Sequence, residues 1–439
     1  MIPKIFATAL LASSVVFSSG VAASHSPHPL SASRVTLTWW DWGTNDQAVV
    51  NTFEKQYPTI HVIARNVGAG APEYTKLLTA IKAGSGAPDV VQIEYERLPQ
   101  FIATGGLRDL APLGANRYRS SFLPWTWNQV SQGKSVYAIP VDSGPTALFY
   151  NSKIFTTYGL TVPTTWGAFQ ADAVKLHKAN PHLSMSWFDP TAGTWFLSLA
   201  WAAGAHPFAQ TGGNSWRIDL ASPQMEKVAN LWGQMLQKGY VQPVAAFTAD
   251  WSKALASGQY AAFVGAAWSP SYQLAPYLKP GTGWKAAPLP QWSSGSFATG
   301  NWGGSTYAVT TQSQHAAAAL QFAAWLNTSQ QGIRWNVLPA DKAGRGVWPT
   351  DNAALDNQQL LNQPVPILDG QRVGTLFAQA ARAVDTGFQW SPWTTYFNDR
   401  YSAEAAKAIK GQETWNQALT NMQTAVSQFA QQQGYTVSH

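Results

Sequence analysis

Between residues 35 and 103, short apolar and β-branched runs alternate with runs whose apolar residues recur at helical spacing. No other feature restricts the fold as much. Val35–Trp40 predicts a strand. Val49, Val50, Phe53 and Tyr57 then share one face of a helix that starts near Thr44 or Asn45 and stops at Pro58. Ile60–Ile63 predicts a second strand, and Tyr74, Leu77, Leu78 and Ile81 a second helix ended by Gly84 and Gly86. Asp89–Ile93 predicts a third strand, with a helix from about Arg97 to Ala103. This β-α-β-α-β-α order implies a mostly parallel sheet with helices on both faces.

The pattern continues less regularly. Strands are expected at Tyr137–Val141, Ala147–Tyr150, Ala261–Val264, Trp284–Pro290 and late in Asn301–Thr310. Helices are expected at Trp166–Lys178, Thr194–Ala203, Ser222–Lys238, Ala249–Ser257 and His315–Asn327, with a helical tail over Tyr401–Gln431. At 439 residues the chain is too long for one core and suits two lobes.

Composition removes several function classes. There is no cysteine, which excludes disulfides, thiol nucleophiles, cysteine metal sites and a lipid-modified cysteine. The formal charge of +6 comes from scattered side chains, with no basic run or stripe, so nucleic acid is not an expected partner. His177 and His182 lack ligand partners at suitable spacing, so neither a metal nor a cofactor is expected. There is no G-x-S-x-G nucleophile elbow and no phosphate-binding glycine fingerprint. Residues 1–23 read as a secretory signal, with Lys4 before an apolar run and Val21-Ala22-Ala23 at the cleavage point. Residues 24–33 read as a flexible lead-in. Charged residues make up only 11% of the chain, while tryptophan reaches 22 copies. That number leaves indole rings to spare for a carbohydrate cleft, where a flat ring meets the apolar face of a pyranose.

A series of segments carries a resemblance. They are Phe53–Val62, Tyr74–Val91 through Gly84-Ser85-Gly86-Ala87-Pro88-Asp89, and Phe101 with Gly105–Leu110. Gly133–Pro140 with Leu148–Asn151, Pro163–Trp166 and Gly303–Val309 complete the series. In order and spacing these resemble the extracellular solute-binding proteins that serve sugar-importing ABC transporters, the maltose- and oligosaccharide-binding branch. The resemblance covers residues 35 to 330; the tail shares only its helical character. The lipid-anchoring cysteine of Gram-positive members is missing, which points to a periplasmic or unlipidated secreted protein.

The resemblance implies an α/β two-lobed periplasmic-binding-protein fold, with a hinge, an interlobe cleft and extra C-terminal helices. Lobe one would be 34–143 plus 303–360, and lobe two 144–300 plus 361–439. The hinges would lie near Val141–Pro145 and Ala298–Gly304. A monomer that captures a small sugar or oligosaccharide and delivers it to the membrane permease subunits of an ABC importer would follow, with no catalysis.

In open α/β sheets ligands sit beyond the carboxyl ends of the strands. Those ends offer Asp41, Trp42, Glu94, Tyr95, Asp142 and Trp268, and the chain returns to lobe one through Trp302, Gly303 and Gly304. Trp195, Trp348 and Trp390 are further aromatic candidates; Arg345 and Arg372 could donate to an acidic solute, with nothing local to distinguish them from surface arginines. The carboxylates would accept sugar hydroxyls, the indoles would stack, and the glycines would expose backbone N–H groups. Each also has an ordinary reading as a cap, a turn residue or core. Other ligands remain open: a polyol, a phosphorylated polyol or a peptide. So does a secreted carbohydrate-active enzyme, although no motif supports a pair of carboxylates across a glycosidic bond. An adhesion module without a transporter is a further reading.

Overall fold

The computed structural model describes residues 34–439 apart from Thr44; the expected signal segment and lead-in lie outside the described residues. The strands of the two main sheets are β1 Val35–Trp40, β2 Ile60–Arg65, β3 Val90–Glu94, β4 Ala138–Pro140, β5 Thr146–Asn151, β6 Ala262–Ala266, β7 Trp284–Pro288 and β8 Ser305–Val309. A five-stranded sheet runs in the order β2-β1-β3-β8-β4. β1 lies parallel to β2 and to β3, as the N-terminal alternation required. β8 runs antiparallel to β3 and β4, so the sheet is mixed rather than purely parallel. The reason is connectivity: β8 arrives from the other sheet, not through a helical crossover. A three-stranded sheet, β6-β5-β7, is antiparallel throughout.

Local sequence explains the elements. β3 is Val-Val-Gln-Ile-Glu, buried except at its last residue, as a strand covered on both faces must be. The helix Ala71–Ala83 carries Pro72 in its first turn and ends on Gly84 at φ 71°, a left-handed cap. Trp39 of β1 anchors the first core edge-on against Tyr307, Phe322 and Trp335.

The chain crosses between the sheets on adjacent strands. Val141 N donates to Ser305 O at 2.9 Å, Trp302 N to Gly144 O at 2.9 Å, and Thr146 N to Gly300 O at 3.0 Å. At Gly144 the two passages lie hard against each other: a Cβ there would sit 1.9 Å from Trp302 O.

The tail departs from its expected single stretch. It forms two helices, Thr394–Ile409 and Trp415–Gln432, broken at Gly411, which adopts φ 70°. Thr436–Ser438 then pairs in parallel with Ser215–Ile218, a strand too short to show in sequence patterning. Among the described residues no helix is long and apolar enough to cross a membrane.

Candidate functional site

Topology gathers the candidate residues at one edge. Ser305 pairs with Glu94, so the start of antiparallel β8 lies beside the carboxyl end of β3. Ala266 pairs with Thr146, which sets the end of β6 beside the start of β5, next to the crossing strands.

Three of the candidate tryptophans keep part of their surface open. Trp42, after β1, is half-buried and meets Tyr74 edge-on at 6.2 Å. Trp268, after β6, is half-buried against Trp302, with centroids 4.8 Å apart at 52°. Its Nε1 donates to Trp302 O at 2.9 Å. Gly303 and Gly304 both adopt positive φ, and a Cβ on Gly304 would press on Asp142 O and the Tyr95 ring. Close backbone approach at the crossing therefore accounts for Gly304 without a ligand.

Several expectations need correction. Trp195 is buried: its ring meets Phe188 and Trp232, and Nε1 donates to Val264 O at 3.1 Å. The helix Gly193–Ala202 is buried on every side, so Trp195 serves the core. Tyr95 is likewise enclosed against Trp125. Trp348 and Trp390 are buried as well. Asp41 is fully enclosed and faces inward: Oδ1 accepts from Tyr307 Oη at 2.9 Å and Oδ2 from Gly43 N at 2.6 Å. Asp142 Oδ1 accepts from Ser305 N at 2.8 Å, fastening one crossing strand to the other.

Arg345 proves to be the centre of a buried network rather than a surface arginine. Nη1 donates to Tyr307 Oη at 2.8 Å and Nη2 to Gln92 Oε1 at 2.9 Å, and Asp41 Oδ1 lies 3.5 Å from Nη2. Its guanidinium sits 5.1 Å from the Trp335 ring centre. Tyr272, beyond β6, donates to Arg345 O at 2.8 Å and so links the second sheet's side to this network. Arg372, by contrast, is exposed and donates to Asn362 O.

Sequence reasoning also missed Glu73, Tyr74, Glu96, Arg97 and Thr194. Glu94 Oε2 accepts from Tyr74 Oη at 2.9 Å, and the Arg97 guanidinium lies 5.0 Å over the Tyr74 ring. Thr194, at the start of the helix Gly193–Ala202, lies near Glu96. Burial pushes Glu94 above the usual carboxyl range, against the Tyr74 hydrogen bond and Arg97. Glu96 rises further, through burial and then Glu94. Glu73 is fully enclosed with neither carboxyl oxygen partnered, and burial, Asp41 and Glu94 push it up to about 9. Asp46, with the Asp41 carboxyl near it, is pushed up to about 7, chiefly by burial. The dipeptide Glu96-Arg97, two residues past a strand end, was the signal available in the sequence.

Among the described residues no group of three or more His, Asp or Glu side chains is arranged to hold a metal ion. What the site offers is half-exposed indole faces together with the partly exposed Glu94, Glu96 and Arg97. That set can stack on rings and exchange hydrogen bonds with hydroxyls.

Residues 41–333 match the family model described as bacterial extracellular solute-binding protein. The chain belongs to that family. As a solute-binding protein it is 23% identical over 301 residues to the arabinooligosaccharide-binding protein of Halalkalibacterium halodurans, covering 65% of this chain and 64% of that one. The corresponding Bacillus subtilis protein is 23% identical over 327 residues, with 71% and 74% covered. Among solved structures, an ABC-transporter-associated binding protein from B. animalis subsp. lactis, in complex with β-1,6-galactobiose, is 28% identical. It has a TM-score of 0.78, with 92% of this solute-binding protein and 100% of that chain covered. The galacto-N-biose/lacto-N-biose I-binding protein of Bifidobacterium longum, at 23% identity and TM-score 0.78 over 92% and 99%, shows the shared two-lobed fold. The family is one of binding proteins rather than catalysts.

Proposed function

We infer that this protein captures a sugar or short oligosaccharide outside the cytoplasm and hands it to the permease subunits of an ABC importer. The observation that carries the reading is the half-exposed Trp268–Trp302 pair, hydrogen-bonded together where the chain crosses between its sheets. Relatives named for arabino-oligosaccharides and a solved relative holding a galactose disaccharide support a saccharide ligand. The jaws would be residues 34–143 with 303–360, and 144–300 with 361–439, closing about the crossing strands. Trp42, Trp268 and Trp302 would stack on sugar rings, while Glu94 and Glu96, with Arg97, would bond hydroxyls. The protein would work as a periplasmic or secreted monomer without a cysteine-linked lipid.

The test is a titration of intrinsic tryptophan fluorescence with β-1,6-galactobiose, lacto-N-biose, arabino-oligosaccharides, maltose, polyols, phosphorylated polyols and peptides. Saturable binding of a saccharide, with the sugar recovered intact, is expected. Binding of peptides alone, or cleavage of a bound sugar, would overturn the reading.

A further inference from the structure

Among the described residues, five large hydrophobic side chains leave more than a third of their surface in water: Val162, Phe247, Tyr272, Tyr277 and Phe297. Singly such residues need no explanation, but three of these five form one group. Tyr277 meets Trp251 edge-on at 5.3 Å, and Phe247 leans on the same indole at 5.4 Å. Trp251 is fully enclosed, so both rings rest on one buried support. They still keep 37% and 49% of their surface open, Tyr277 and Phe247 respectively. Tyr272 meets Trp268 edge-on at 6.5 Å.

Topology puts this group on the edge that carries Trp268. The short strand Ser186–Phe188 runs parallel to Val241–Pro243. It stands beside β6, where Ser184 bridges in parallel to Tyr260 and Met185 O accepts from Ala262 N at 2.8 Å. The three strands therefore end on the same side. Phe247 comes shortly after Val241–Pro243, and Trp268 shortly after β6. The chain from Trp268 then makes the helical turn Pro270–Leu274 and reaches Tyr277, whose N donates to Leu274 O at 3.1 Å. The exposed aromatics are thus continuous, through one turn, with the Trp268–Trp302 pair.

The backbone at Phe247 is unusual as well. Four non-glycine residues adopt positive φ among those described, and Phe247, at 64°, is the one aromatic. Asparagine and aspartate, which fill two of the other places, tolerate this region; a bulky ring does not favour it. The conformation is held from both sides. Ala246 N donates to Asp189 Oδ2 at 2.8 Å, and Thr248 Oγ1 accepts from Trp251 N at 3.3 Å to cap the following helix. A strained backbone that carries an open ring is a pattern found at ligand sites.

We propose that Phe247 and Tyr277 form an outer platform that stacks a further sugar ring of a bound oligosaccharide, beyond the rings held at Trp268 and Trp302. The ligand class is then an oligosaccharide of three or more units rather than a disaccharide. This deepens the capture reading and rests on it for the inner rings. Two rings fixed on one buried indole lose little freedom on binding, so their faces are ready for the apolar C–H face of a sugar. The platform is uncharged and sequence-distant from Glu94 and Glu96, so it adds length selection without altering how the inner rings are held.

The experiment is titration calorimetry with β-1,6-galacto-, arabino- and malto-oligosaccharides of two, three and four units. Wild type should gain about tenfold in affinity between two units and the longer members of the series that it binds. Phe247→Gly and Tyr277→Ala should each lose most of that gain, whereas Trp268→Ala weakens every length. Glycine takes φ 64° without strain, so a loss in Phe247→Gly reports the missing ring and not a disturbed backbone. A gain with length that persists in both variants overturns the platform, as does a wild type indifferent to length or variants weakened equally at every length. In each of those cases the capture reading stands. A wild type that binds no saccharide of any length overturns the capture reading and the platform with it.

Discussion

The indole Nε1 of Trp268 lies 2.9 Å from the carbonyl oxygen of Trp302, and the two rings lean together at 52°. One ring follows a strand of the second sheet and the other sits on the passage back to the first. A ligand that rests on this pair would touch both lobes and the hinge at once, which makes it the first place to probe.

Trp268→Phe keeps an aromatic face and removes the hydrogen bond, worth about 1 kcal/mol. Saccharide affinity should fall several-fold. Trp268→Ala removes the stacking face as well and should weaken binding by about a hundredfold, or roughly 3 kcal/mol. Titration calorimetry reads both, and an alanine variant that binds like wild type would remove Trp268 from the site.

Trp195→Phe should behave in the opposite way. Its ring lies in the core and its Nε1 serves Val264 O. Loss of volume and of that bond should lower stability by about 1–3 kcal/mol with affinity within twofold of wild type. Urea unfolding and a binding isotherm on the same sample separate the two effects.

Arg345→Met should be among the most damaging single changes. It strips the buried Asp41 of its cation, leaves the Tyr307 hydroxyl without its donor, and leaves Gln92 Oε1 only the long bond from Trp42 N at 3.5 Å. A loss of about 3–5 kcal/mol is expected. Adding Asp41→Asn should recover part of it, because the stranded charge is then gone. Denaturant midpoints for the two variants decide the matter; no recovery in the double variant would show that packing against Trp335 dominates.

Stability should depend on pH through Glu73. Its titration point rises from 4.5 to about 9 on folding, so the folded state binds the proton more tightly. Stability is therefore full below about pH 4.5 and declines as the pH climbs towards 9, by up to about 1.4 kcal/mol per unit. Asp46, raised to about 7, acts in the same direction over the lower part of that range. Glu73→Gln should flatten the profile above neutrality. A wild-type urea midpoint that stays constant from pH 5 to pH 8.5 would refute this.

Gly144→Ala should impair the hinge, since the added Cβ would fall 1.9 Å from Trp302 O, a backbone atom that cannot turn aside. A destabilisation of about 1–3 kcal/mol is expected, together with a change in the solution radius of gyration. An unaltered midpoint and radius would show that the crossing strands separate freely.

Much of this was legible in one dimension. Strand and helix periods over residues 35–103 are local properties of side-chain order, and the structure reproduces Val35–Trp40 as a strand residue for residue. The strand-end rule named Trp42, Trp268 and Trp302, which keep part of their surface open, because the position beyond a strand follows from where the strand stops. The rule failed at Asp41 and Tyr95, and the choice of aromatic candidates at Trp195, for a shared reason. Whether a polar or aromatic side chain faces a cleft or the interior depends on what packs against it, and those neighbours come from distant segments. Asp41 turns inward because Arg345 and Tyr307, both more than 250 residues away, offer it donors. Glu73 carried no local mark either; its raised proton affinity comes from enclosure by other segments, which arises only when the chain has folded. Sequence alone determined the layered α/β elements and the cysteine-free character of the chain. Tertiary structure alone decided which carboxyl groups are paired, which are enclosed without a partner and which indoles stay open, because burial and charge proximity are properties of space and not of order along the chain.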